Sequence, residues 1–183
     1  VDYKDNIDIR ERYPNVVHLA FGLHPTVFQE ITLDRGERKN ILSKSKKYIT
    51  TFESIFREHK ENIRALGETG LDYHHFNLDN TIDEDIKEQL KQIQQMSLEK
   101  HLDLAQEFCL PLSIHGRDIL GSNECIKNIL NIIVKNGRGC IKGSFHSYTG
   151  DLRLLKDILD LGFYIGFNAI ITYKSGSNVR EIL

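Results

Sequence analysis

Short apolar runs of strand length alternate with segments of helical period along most of this 183-residue chain. That alternation constrains the fold more than any other feature. Val16-Val17-His18-Leu19-Ala20-Phe21-Gly22 is a nearly continuous apolar run, of the type buried on both faces of a parallel sheet. Residues 44–57 then carry Ile49, Phe52, Ile55 and Phe56 at helical spacing, and Ile63 to Gly67 reads as the next strand, ending at Glu68. A long helix is predicted from about Asp83 to Phe108. Thr81 and Glu84 form a capping-box pattern at its start, and Asp83 and Asp85 sit at the positive end of its dipole. Leu98, Leu102, Ala105 and Cys109 mark one face of it, and Pro111 stops it.

The unit then repeats. Leu112 to His115 reads as a strand, Asn123 to Lys135 as a helix, and Cys140 to Phe145 as a strand. Asp151 to Leu161 reads as a helix with Leu152, Leu155, Ile158 and Leu159 on its core side, ended by Gly162 with positive φ. Tyr164 to Phe167 is a further strand, and a helix begins at Ser177. About five strands alternating with helices describe stacked βα units on a parallel sheet. A (β/α)8 barrel and an open doubly wound sheet both satisfy the pattern. The second ordinarily carries a Gly-rich phosphate loop after its first strand, and no G-x-G-x-x-G occurs here. The barrel is favoured.

Composition narrows the class. With 40% apolar and 27% charged residues, the chain is globular and is expected to form a single domain over residues 1–183. A net charge of −2 excludes a polycation, although a local basic surface stays compatible with nucleic acid. Cys109, Cys125 and Cys140 make no C-x-x-C pair, which fits a reducing, cytoplasmic setting. No apolar run approaches the roughly 20 residues of a membrane helix, so no membrane partner is expected. Val1 at the start and Leu183 just after a helix begins suggest that both ends are cut.

In a barrel, chemistry sits at the C-terminal ends of the strands. Glu68, His115 and His146 occupy such ends: one carboxylate and two imidazoles suited to a divalent metal. Each taken singly has a plainer reading: a solvated Glu, a hydrogen-bonded strand His, a His in a turn before a helix. Arg117, two residues beyond His115, can hold a phosphate bidentately or form a surface ion pair. His24 in Gly22-Leu23-His24-Pro25 is a fourth strand-end histidine, expected near substrate rather than on metal, or else structural in a turn. His18, His59, His74, His75 and His101 lack comparable context. Arg35, Arg38, Lys39, Lys44, Lys46 and Lys47 form a basic cluster, either a solvated face or a contact for a polynucleotide backbone.

These strings occur in an order that resembles the TatD family of metal-dependent nucleases. The matching segments are Gly22-Leu23-His24-Pro25, Gly67 to Asp72, Pro111 to Arg117, His146 to Gly150, and Gly162 to Gly166, with Gln94, Leu102 and Ala105 fitting the family's helix between them. The resemblance implies a distorted (β/α)8 barrel with two divalent ions (Mg, Mn or Zn) that hydrolyses DNA phosphodiester bonds, commonly as a 3′-5′ exonuclease. It implies Glu68 as a bridging ligand and catalytic residue, and His115 and His146 as ligands of the second ion. It places His24 and Arg117 on the substrate side. The full-length protein is expected to be a monomer.

The family's first-strand His-x-His and last-strand Glu-Thr-Asp-x-Pro are absent, so the resemblance covers about strands three to seven of eight. An open arc leaves two strand edges and an apolar interior exposed, and the segment alone is expected to be poorly soluble and inactive. Two other readings stay open. One is an amidohydrolase-like barrel acting on a C–N or lactone bond, which a carbamylated strand-end Lys would favour. The other is a non-catalytic or decayed fragment.

Overall fold

A strand buried on both faces cannot alternate apolar with polar residues, and the longest strand of the protein does not. Ile63, Leu66, Gly67, Thr69, Gly70, Leu71 and Asp72 are all buried along β2 (Ile63–Asp72). The computed structural model describes residues 3–33, 40–77, 82–119, 121–137 and 141–182. β2 is the second strand of a parallel sheet that also holds β1 (Leu19–Phe21), β3 (Leu112–Arg117), β4 (Gly143–Phe145) and β5 (Tyr164–Ile165). Their order is β1-β2-β3-β4-β5, so every strand lies beside its neighbour in sequence and the order never reverses.

Helices α2 (Val27–Leu33) and α3 (Ile41–His59) connect β1 to β2, and α4 (Glu84–Phe108) connects β2 to β3. Between β3 and β4 lies α5 (Glu124–Gly137), and between β4 and β5 lies α6 (Leu152–Asp160). α1 (Tyr3–Arg12) precedes the sheet and α7 (Ser177–Arg180) follows it. The fold is α/β. Its core joins Phe52 and Phe56 of α3, Leu90, Ile93, Leu98 and Leu102 of α4, and Ile126, Ile129 and Ile133 of α5 to the strands. Among the described residues, no helix is long and apolar enough to cross a membrane.

Two close approaches bring the strand ends together. A Cβ on Gly70, whose φ is +145°, would lie 1.9 Å from the His115 carbonyl oxygen. Only glycine lets β2 and β3 pair there, with Gly70 opposite His115 and Asp72 opposite Arg117. A Cβ on Gly22 would come within 2.7 Å of Gly67 Cα, so the segment leaving β1 presses directly on β2.

Several boundaries differ from the sequence reading, each for a physical reason. The first strand shrinks to three residues because Pro14 to Val16 form a turn and Val16 is 79% exposed. β2 does not stop at Gly67 but runs on through Glu68 to Asp72, since β3 continues to pair with it. Asp83, not Thr81, caps α4, its carboxylate accepting from the Ile86 N–H at 2.9 Å; Thr81 lies outside the described residues. Cys109 belongs to no buried face: it is the exposed, left-handed residue that ends α4. On α6 the core side is Leu154 and Ile158, while Leu152 and Leu159 are more than half exposed. Asp151, read as the first residue of that helix, is instead its cap, the carboxylate accepting from the Arg153 N–H at 2.7 Å. Gly162 has the expected positive φ, and the helix at Ser177 is present. Arg35, Arg38, Lys39 and Cys140 lie outside the described residues.

Candidate metal centre

β2 and β3 bring one carboxylate and one imidazole together by register alone. With Gly70 opposite His115, Glu68 lies close enough on β2 for its Oε1 to stand 2.9 Å from His115 Nδ1. The other nitrogen of the ring, Nε2, lies 3.1 Å from Asp72 Oδ2. Asp72 is 1% exposed, and its Oδ1 also accepts from the His74 N–H at 3.0 Å. His115 is therefore held edge-on between two carboxylates. Burial works against its charge, but the hydrogen bonds to Asp72 and Glu68 outweigh it and push the pKa up to about 9. The same bond to His115 holds the Glu68 carboxyl below the usual carboxylate range, against its partial burial, with smaller help from His24 and His146.

His24 completes the group. Its Nε2 lies 3.2 Å from His115 Nδ1 and 3.9 Å from Glu68 Oε1, and the two rings meet at 67° with centroids 4.4 Å apart. Its Nδ1 sits 2.8 Å from Thr26 Oγ1 and 3.3 Å from the Thr26 N–H, which fixes the ring's direction. Burial and the neighbouring His115 both lower the His24 pKa, which favours a neutral ring.

The donor set suits a divalent cation. His24, Glu68 and His115 each offer a ligand atom within 4.8 Å of the others. From the separations of 2.9, 3.2 and 3.9 Å, the point equidistant from all three lies about 2.0 Å from each. That is the bond length Zn2+ makes to imidazole and carboxylate, and Mg2+ to oxygen, roughly 2.0–2.2 Å. Two nitrogens and one oxygen leave further positions open, as a catalytic ion requires.

The remaining sequence-predicted residues stand outside this triangle. His146 is exposed after β4, its Nε2 2.9 Å from Ser147 Oγ, which also accepts from Asn168 Nδ2 at 2.7 Å. His146 is still near enough for its charge to act on Glu68. Arg117 ends β3 with its side chain exposed. Its carbonyl accepts from the Tyr73 N–H at 2.9 Å.

Three residues given no role from sequence also belong to the site. Asp72 holds His115. Gln94 and His101, both 0% exposed on α4, bond to the backbone on either side of His24 and at Asp72. Their signal was two large polar residues seven apart, a spacing of two turns, on a helix face that is apolar apart from Ser97 between them.

Comparison with known proteins places the chain in a family. The sequence model of the TatD related DNase family matches residues 1–183. An uncharacterized metal-dependent hydrolase of Buchnera aphidicola subsp. Baizongia pistaciae is 33% identical over 166 residues, covering 90% of this chain and 50% of that protein. The uncharacterized metal-dependent hydrolase YcfH of Escherichia coli K12 is 30% identical over 122 residues, 67% of this chain and 40% of its own length. A Danio rerio protein named as a candidate deoxyribonuclease, tatdn3, is 25% identical over 166 residues, 91% of this chain and 54% of that protein. The crystal structure of a TatD family hydrolase from Entamoeba histolytica superposes with a TM-score of 0.57 at 22% identity, covering 91% of this chain and 48% of that one. The chain thus spans about half the length of the curated relatives it matches.

Proposed function

The chain belongs to the TatD related DNase family, and from that premise we propose that the protein is a metal-dependent hydrolase cleaving phosphodiester bonds of DNA. The observation that carries the reading is the Glu68–His115–His24 triangle, whose three donor atoms surround a point at metal-bond distance. The substrate class rests on the family and on the name of the Danio rerio relative. The finer reading is a 3′-5′ exonuclease with a two-metal centre, its sheet an arc of about strands three to seven of a (β/α)8 barrel. Parallel strands in unbroken sequential order support the arc, because a doubly wound sheet reverses its order.

In this assignment Glu68, His115 and His24, expected from sequence on the substrate side, would hold one ion, and His146, whose charge acts on Glu68, would help to hold a second. A bound divalent ion supplies Lewis-acid chemistry, polarising the phosphoryl group and making water a better nucleophile near neutral pH. Asp72 accepts from His115 Nε2, which leaves Nδ1 as the ligand atom and fixes the ring plane. Arg117, exposed at the end of β3, offsets phosphate charge with its planar guanidinium. An amidohydrolase-like reading gains no support, since none of the five strands carries a lysine to be carbamylated.

The test is Glu68→Ala in the full-length protein, with Mn2+ affinity and hydrolysis of a 3′-labelled single-stranded oligonucleotide as readouts. We expect turnover to be abolished and Mn2+ binding to weaken by more than about 100-fold. Near-normal hydrolysis by the variant would sink the assignment. Wild-type protein that binds Mn2+ and opens a lactone or amide while leaving DNA intact would replace it.

A further inference from the structure

The segment that carries His24 belongs to no strand: Gly22 presses on Gly67 at its start, and at its end the Val27 N–H donates to the His24 carbonyl at 3.1 Å. It leaves the three-residue strand β1 at Phe21 and reaches α2 at Val27, and His24 lies in its middle. Yet the 3.2 Å approach of His24 to His115 requires the backbone on both sides of His24 to be fixed against the sheet.

Helix α4 does this with two buried polar side chains. His101 Nε2 accepts from the Leu23 N–H at 3.1 Å, just before His24. Gln94 Nε2 donates to the Pro25 carbonyl at 3.4 Å, just after it. Neither side chain is free to drift. The other nitrogen of His101 donates to the Ser97 carbonyl at 2.7 Å, and its ring stacks on Phe52 with centroids 4.2 Å apart at 21°. Those two bonds specify the neutral tautomer with hydrogen on Nδ1, because a second ring hydrogen on Nε2 would face the Leu23 N–H. Gln94 is held from the β2 side: its Oε1 accepts from the Asp72 N–H at 2.9 Å, and its Nε2 also donates to the Asp72 carbonyl at 3.3 Å.

Gln94 therefore ties the His24 segment to the same residue that orients His115. Both side chains are 0% exposed, on a helix face whose other buried residues are apolar except for Ser97 between them. Burying an amide and an imidazole costs free energy unless each polar atom is satisfied, and here every partner except the Ser97 carbonyl belongs to the metal-site backbone.

We propose that Gln94 and His101 are positioning residues that act as a two-point clamp, setting the distance of His24 from Glu68 and His115 through Leu23, Pro25 and Asp72. The proposal rests on the reading of the triangle as a metal site. The clamp makes no contact with substrate and takes no part in the reaction. Its effect is to hold one donor in reach of the other two before an ion arrives, which raises affinity by preorganisation.

The test compares His101→Phe, which keeps the ring stacked on Phe52 but removes the acceptor, with His101→Gln, which restores an acceptor near the Nε2 position. Three readouts are used: Leu23 amide exchange by NMR in metal-free protein, the NOE between the His24 and His115 rings, and Mn2+ affinity by titration without turnover. In His101→Phe, Leu23 exchange should accelerate at least tenfold, the ring–ring NOE should be lost, and Mn2+ affinity should fall about 10- to 100-fold. His101→Gln should stay within about threefold of wild type on the affinity readout, a rescue that loss of packing alone would not produce.

Wild-type Mn2+ affinity and an intact ring–ring NOE in His101→Phe would overturn the clamp. If wild-type protein binds no Mn2+ at all, the metal reading fails, while Leu23 exchange and the NOE still decide whether His101 places His24. Should His101→Phe fail to fold, Gln94→Met removes the Pro25 contact at similar volume and must give the same loss of the NOE for the proposal to stand.

Discussion

Acid should destabilise this protein through His101. The ring is fully buried, and burial opposes its protonation more than the bond to the Ser97 carbonyl favours it, so its pKa falls from 6.5 to about 4. In the unfolded chain the same ring titrates near 6.5. Between these values the unfolded state binds the proton and the native state does not, so unfolding is favoured as pH falls. The stability held above pH 6.5 is lost progressively down to about pH 4 and changes no further below it. At about 1.36 kcal/mol per pH unit, the loss between pH 7.5 and 4.5 is ~2.5 kcal/mol. That is a large share of the roughly 5–15 kcal/mol a domain typically has. The assay is urea unfolding followed by circular dichroism at pH 7.5, 6.5, 5.5 and 4.5, on wild type and His101→Gln. Carboxylates and other histidines are common to both proteins, so the difference between the two pH profiles isolates His101. The wild-type curve should fall by ~2.5 kcal/mol more than the variant's over that range. Parallel curves would refute the reasoning, because they would mean that native His101 takes up its proton as readily as unfolded His101.

Two further substitutions test the packing that delivers the site. Gly70→Ala places a Cβ 1.9 Å from the His115 carbonyl at a φ of +145°, so we expect a loss of more than about 3 kcal/mol in urea unfolding and weaker β2–β3 pairing. A loss under about 1 kcal/mol would show that the strands can separate there at little cost. Asp83→Ala removes the carboxylate that accepts from the Ile86 N–H and should cost about 1 kcal/mol, most of it recovered in Asp83→Asn. Equal stability of all three proteins in thermal unfolding would mean that α4 takes its start from tertiary packing alone.

The elements that the sequence made legible are those whose burial follows a period. Ile49, Phe52 and Phe56 on α3, and Leu98 and Leu102 on α4, are core residues as their spacing predicts. Where that signal was missing or degenerate, the reading failed. α1, with the sequence YKDNIDIRER, buries no residue at all and so carries no apolar stripe to detect. α6 has leucine or isoleucine at 152, 154, 155, 158 and 159, so more than one face satisfies helical spacing. Packing against β5 and α5 selects Leu154 and Ile158. β2 ran past its expected end because pairing with β3, whose partner residues lie 45 positions on in the chain, extends a strand beyond its local apolar run.

The candidate site divides in the same way. Residue chemistry and strand-end position picked out Glu68, His115, His146 and His24 as side chains able to hold a cation or meet a phosphate, because those properties are local to each residue. Which histidine stands beside Glu68 is not local. Strand register puts His115 there, and two buried polar side chains on α4 bring His24 to it, while His146 turns to Ser147. Sequence alone determined the alternation of strand and helix and the kinds of donor available. Tertiary structure alone decided their distances, because a separation of about 2.0 Å from a common point is set by pairing and packing between segments far apart in the chain.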